Sequence, residues 1–146
     1  MTDQDALLQL QHQIYRTSQK HSPPLEHVMG WLLDPRNLEA AWRRIRGNDG
    51  AKTPGPDGQT AKQVEPKKEV WLKQLVQDLY RGKFQPQPPR IIKIPKPDSR
   101  GAVRELGILN LRDRVAHAAM KQVLEPIWEP PRAFGSRSPR RSGPTA

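Results

Sequence analysis

Cysteine is absent from this 146-residue chain, which excludes thiolate catalysis, disulfide bridges and cysteine-ligated zinc. The four histidines, His12, His21, His27 and His117, are scattered without metal-ligand spacing, so no metal site is expected. Apolar material is scarce as well. Hydrophobic residues make up 34% of the sequence, and 16 prolines and 10 glycines interrupt it, which limits the chain to one modest core. No charge-free apolar run approaches the ~20 residues that span a bilayer. The start, Met1-Thr2-Asp3-Gln4-Asp5, is acidic and unlike a secretory leader. A soluble, cytoplasmic protein without a membrane partner is expected.

Acidic side chains are in deficit, 15 Asp and Glu against 25 Lys and Arg, for a formal net charge of +10. Such an excess favours polyanionic partners, nucleic acid being the commonest, although solvated basic faces would give the same composition. The charge is uneven: residues 1 to 36 carry 3 basic and 4 acidic side chains, whereas the stretch 61 to 104 is studded with Lys and Arg. The partner-facing surface is expected in that later stretch.

Thr2 or Asp3 is placed to cap a first helix, in which Leu7, Leu10 and Ile14 recur at helical spacing until His21-Ser22-Pro23-Pro24. Asp34 and Pro35 offer an N-cap and a first-turn proline to a second helix with the apolar stripe Leu38, Ala41, Trp42 and Ile45, closed near Gly47. From Gly47 to Thr60, four glycines and two prolines forbid regular structure and predict a shaped loop. Leu72, Leu75, Val76 and Leu79 share one face of a helix expected from about Pro66 to Arg81, with Gly82 as a left-handed cap. Two strands, Arg90 to Ile94 and Val103 to Ile108, joined through Pro95 to Gly101, then predict a basic hairpin. Asn110 is placed to cap a last helix, with Leu111, Val115, Ala118 or Ala119 and Val123 inward, until Pro126 ends or kinks it. Trp42, Trp71 and Trp128 have apolar helical neighbours and are expected in the core. The Arg, Pro and Ser-rich tail, 131 to 146, has a composition that does not fold alone.

The glycine-rich loop with its lysine lacks the Gly-Lys-Ser/Thr ending of a phosphate loop, and its aspartates lack the alternation of a calcium loop. Exposed amides in such a loop are able to track a phosphate backbone. A plain connector is an equally good reading of these residues.

The segments taken together are more specific than any one of them. Asn37-Leu38 through Ala41-Trp42-Arg43-Arg44-Ile45, then Asn48-Asp49-Gly50 and Pro54-Gly55-Pro56-Asp57-Gly58, are followed by Tyr80-Arg81 with Phe84-Gln85-Pro86-Gln87-Pro88. Next come Ile94-Pro95-Lys96-Pro97, Leu106-Gly107-Ile108, Leu111-Arg112-Asp113-Arg114-Val115 and Leu124-Glu125-Pro126-Ile127-Trp128-Glu129-Pro130. In this order and spacing they resemble the amino-terminal part of group II intron-encoded reverse transcriptases and maturases. The resemblance implies an α+β fold, the fingers and start of the palm of a right-hand polymerase, with the rest of the palm missing. It divides the chain into an N-terminal helical extension (1–36), the fingers region (37–130) and the tail (131–146).

By motif position, the resemblance assigns Lys96 and Arg104 to nucleotide phosphates, a solvated turn lysine being the alternative for Lys96. Arg81, Arg90, Lys93, Arg112 and Arg114 are read as template or intron-RNA backbone contacts, with plain solvation as the alternative. Arg112-Asp113-Arg114 fits a helix-surface ion-pair set equally well. The pattern departs from the family where Arg-Pro-Leu-Gly-Ile-Pro-Thr becomes Arg104-Glu105-Leu106-Gly107-Ile108-Leu109-Asn110, and again after Pro130, where a shift of reading frame would account for the change in composition.

In the intact family enzyme, Mg2+ ions held by palm aspartates, a Tyr-Ala-Asp-Asp pair among them, perform nucleotidyl transfer. No such phrase occurs here, and Asp98 and Asp113 belong to fingers segments. This chain by itself is therefore expected to have no catalytic residue, no cofactor and no polymerase activity, with exposed apolar stripes on the 66–81 and 111–125 helices. Two rival readings are a non-enzymatic RNA-binding module and one part of a split enzyme whose palm and thumb come from another polypeptide.

Overall fold

The computed structural model describes residues 2–96 and 101–131. Helix α1, Asp3–Lys20, starts in a reciprocal cap: the Asp5 amide donates to Thr2 Oγ1 at 3.1 Å, and the Thr2 amide donates back to the Asp5 carboxylate at 3.1 Å. A short helix absent from the sequence expectation follows, α2, Leu25–Leu32. Pro24 stands at its N-cap, so the proline pair that ends α1 also starts α2. Asp34 caps α3, Pro35–Arg46, by accepting from the Arg36 amide. The loop after α3 contains one tight 3-10 turn, Asp49–Lys52, where no regular structure was expected.

The helix expected over 66–81 begins earlier and in pieces: α4, Ala61–Val64, a 3-10 turn at Glu65–Lys67, and α5, Lys68–Tyr80. Gly82 closes it at φ +68°, as its placement implied. Strands β1, Arg90–Pro95, and β2, Val103–Ile108, pair antiparallel as a two-stranded hairpin. Helix α6, Leu111–Trp128, completes the α+β fold.

Trp42 is fully buried at the centre of the core, with Leu38, Ala41 and Ile45 of α3, Leu72 and Leu75 of α5, and Leu111, Val115 and Ala119 of α6. Its ring is tilted 59° against that of Trp71 at 5.4 Å, and its indole N–H donates to Glu65 at 3.2 Å. A smaller cluster of Leu10, Ile14 and Val123, with Trp31 and Ile127, fastens α1 and α2 to α6. Between the clusters lies a polar seam. Buried Asn37 donates to the carbonyls of Leu32 and Ala119, and buried Gln122 donates to both oxygens of Asn37. Each group thereby avoids the penalty of an unpaired buried amide.

Three expectations need correction. Pro126 does not end α6, which continues to Trp128. The missing proline N–H would orphan the Gln122 carbonyl four residues back. Gln11 of α1 supplies a side-chain N–H to that carbonyl at 3.0 Å and makes the proline tolerable. Trp128 is not core: it is 73% exposed, one turn beyond half-exposed Leu124. The inward stripe of α6 is covered by α1 and α3, and exposed large apolar side chains stand both on the hairpin, at Ile91, Ile94, Val103 and Leu106, and singly on helices, at Leu25, Val70, Tyr80, Leu124 and Trp128. The centre of the expected hairpin turn, residues 97–100, and the tail expected to be disordered, residues 132–146, lie outside the described residues.

Candidate nucleic-acid interface

Side chains alternate across a strand, so the hairpin register sorts its charges onto two faces. Ile94 pairs with Arg104 and Arg90 with Ile108, which puts both arginines on one face with Ile92 and Leu106. Lys93 pairs with Glu105 on the opposite face, beside Ile91 and Val103. The amide of Lys96 donates to the Ala102 carbonyl at 3.1 Å, holding Lys96 at the far end of the strands. Lys93, Lys96 and Arg104 are exposed, and their side chains have no hydrogen-bond or ion-pair partner among the described residues. Arg81, at the end of α5, is likewise exposed and unpartnered.

The other three candidate cations are engaged within the chain. Arg90 donates to the Pro54 carbonyl at 3.0 Å. Arg112 pairs with Asp78 and lies 5.1 Å from the centre of the Phe84 ring, tying α6 to the end of α5. Arg114 donates to the carbonyls of Gly50 at 2.8 Å and Thr53 at 3.0 Å. Burial lowers the Arg114 guanidinium pKa from its ordinary value, against the opposing pull of Asp57. Arg112-Asp113-Arg114 is not a surface ion-pair set either: buried Asp113 accepts from the Gln87 amide at 2.9 Å and anchors the spacer before β1.

These contacts settle the character of the 47–60 loop. Its amides at Ala51, Thr53, Asp57, Gly58 and Gln59 all have acceptors within the chain. Its carbonyls at Gly50, Thr53 and Pro54 accept from Arg114 and Arg90. The loop docks so closely that a Cβ on Gly55 would sit 2.5 Å from the Leu109 carbonyl oxygen. Asn110 uses its side chain to hold this loop, accepting from the Asp57 amide at 2.9 Å, and does not cap α6 with it. The loop is a clasp between the base of the hairpin and the start of α6.

Among the described residues, no three His, Cys, Asp or Glu side chains are grouped as metal ligands. No helix among those residues is long and apolar enough to cross a membrane. Sequence reasoning missed the seam of Asn37 and Gln122, which carries no motif, and the exposure of Tyr80, which stands 75% open beside Arg81.

No protein-family model matches the chain. Among curated proteins it is 38% identical over 105 residues to protein YkfC of Escherichia coli, an alignment covering 72% of this chain and 27% of that protein. It is 34% identical over 100 residues to the group II intron-encoded protein LtrA of Lactococcus lactis, covering 68% of this chain and 16% of LtrA. It is 33% identical over 92 residues to the COX1/OXI3 intron 1 protein of Saccharomyces cerevisiae, covering 63% and 10% respectively. The chain thus spans about a quarter or less of the length of these relatives.

Proposed function

This chain is related to group II intron-encoded proteins over 68% of its length, and on that premise we propose that it is the fingers-side part of a reverse transcriptase of that lineage. Its role in this reading is to grip nucleic-acid and nucleotide phosphates. The observation that carries the proposal is the hairpin, which holds Lys96 and Arg104 exposed on an antiparallel pair, without a side-chain partner among the described residues. Cations fixed in this way neutralise and position phosphate charge without themselves transferring a proton or making a bond.

Within that reading, Lys96 and Arg104 hold phosphates, those of a nucleotide or of the RNA backbone, while Lys93 and Arg81 meet the RNA backbone. Arg90, Arg112 and Arg114 support the surface from behind through the clasp and the Asp78 pair. The Mg2+-binding aspartates of polymerisation belong to palm sequence outside these 146 residues, so the chain alone binds RNA and does not extend a primer.

Binding of a labelled RNA to the purified chain tests the proposal. Lys96→Ala and Arg104→Ala each weaken binding, whereas Lys20→Ala, a substitution outside the hairpin, leaves it unchanged. Equal affinities for all of these proteins would overturn the assignment to the hairpin, and templated DNA synthesis by the purified chain would overturn its restriction to binding.

A further inference from the structure

Two aromatic side chains stand almost free of the body, Tyr80 at 75% and Trp128 at 73% exposure, and they differ in their sequence neighbours. Trp128 is followed by Glu129 and lies a turn beyond Glu125, which pairs with Lys121 at 3.8 Å, so no unpartnered cation adjoins it among the described residues of α6. Tyr80 is followed by exposed Arg81, left-handed Gly82 and exposed Lys83, with exposed Lys73 two turns earlier on α5.

The segment that carries Tyr80 is held stiffly. The Arg81 amide donates to the Gln77 carbonyl at 3.0 Å, and the amides of Lys83 and Phe84 both donate to the Asp78 carbonyl, at 2.8 and 3.2 Å. Phe84 is then covered by the Arg112 guanidinium, which is itself paired with Asp78. The chain has therefore ordered the turn before any ligand arrives, while the Tyr80 ring stays uncovered and the Arg81 and Lys83 side chains unpartnered among the described residues.

An uncovered aromatic ring between backbone-neutralising cations is the chemistry that recognises unpaired nucleobases. The ring offers a stacking face to any base, and the cations follow the phosphates. Duplex RNA buries its base faces within its own stack and cannot use such a ring. We propose that Tyr80, with Arg81 and Lys83, forms a stacking site for single-stranded RNA, separate from the hairpin cations. The inference rests on the reading that this chain binds RNA, and it adds the strandedness of the RNA and a second contact point.

The test is fluorescence anisotropy of the full chain with a labelled single-stranded RNA and with a blunt RNA duplex, for the wild type, Tyr80→Ala, Tyr80→Phe and Arg104→Ala. Base stacking on an aromatic side chain predicts that Tyr80→Ala weakens single-strand binding about tenfold, while Tyr80→Phe stays within about twofold of wild type. Duplex affinity is unchanged by either. A 4-thiouridine RNA cross-linked to the wild-type chain gives an adduct at Tyr80, a readout that needs no variant to fold.

Equal losses for single strand and duplex on Tyr80→Ala, or an adduct map that omits residues 80–83, would overturn the stacking site. A loss with Arg104→Ala and none with Tyr80→Ala overturns the stacking site and leaves the hairpin proposal standing. The reverse pattern sinks the hairpin proposal and keeps this one. A protein that docks on Tyr80 and competes with no RNA would also contradict the stacking site.

Discussion

Gly55 shows how one residue sets the shape of the clasp. Its neighbours, the Leu109 carbonyl and the Asn110 amide, are backbone atoms with no rotamer by which to retreat. Gly55→Ala is therefore expected to cost about 1–3 kcal/mol, the range for a forced backbone shift, read as a lowered urea midpoint. An unchanged midpoint would show that the loop is free to lift away. Gln11 and Pro126 make a second case at this scale. Gln11→Leu leaves the Gln122 carbonyl unpaired and is expected to destabilise by about 1 kcal/mol or more. Pro126→Ala restores a backbone N–H to the same carbonyl, so in that background the cost of Gln11→Leu shrinks. Additive effects in a double-mutant cycle would rule out this account of the proline.

The Asp34 cap bears on a whole element, because it starts α3, the helix that carries Trp42. Its hydrogen bond from the Arg36 side chain lowers the carboxyl pKa below the ordinary carboxylate value. A lowered folded-state pKa means that the stabilisation is present above the ordinary value and lost as pH falls through the folded one. Asp34→Asn keeps a capping oxygen and removes the charge. Wild type is thus expected to be the more stable protein at neutral pH, and the difference narrows as the solution is acidified into the carboxylate range. A gap that does not change with pH would contradict the role given to the Arg36 pair.

Elements with local signals were legible in the sequence. Capping residues and helical spacing located α1 and α3, and the strand runs located β1 and β2 to within a residue. Helix α2 was missed because its eight residues follow two prolines, contain Gly30 and present no long stripe. The continuation of α6 past Pro126 depends on Gln11, which is remote in sequence, and no periodicity reveals that contact. The same holds for the basic candidates. Arg112 finds Asp78, 34 positions away, and Arg114 finds Gly50, 64 positions away, so composition could not separate arginines that hold the fold from cations that face solvent.

Across the whole molecule, the +10 net charge has become a distribution with structure. Arginines at the base of the hairpin and at the start of α6 are consumed by carbonyls and a carboxylate, while the hairpin and the end of α5 keep theirs exposed. An isolated two-stranded hairpin is marginal in water. This one exposes Ile91, Val103, Ile94 and Leu106 and draws its order from the clasp beneath it. Loosening the clasp with Arg114→Ala is accordingly expected to raise amide exchange in β1 and β2 before it unfolds the helices; hydrogen exchange resolved by segment would detect this, and uniform exchange would contradict it.

The central claim is that exposed cations of the hairpin hold phosphates. It is tested most directly by the salt dependence of RNA affinity, measured for the wild-type chain and for the Lys96→Ala and Arg104→Ala proteins. If each cation displaces one counterion from the RNA, log affinity falls linearly with log salt, and each substitution makes the slope shallower by about 0.7–1. An affinity that ignores salt, or a slope that neither substitution changes, would contradict the claim.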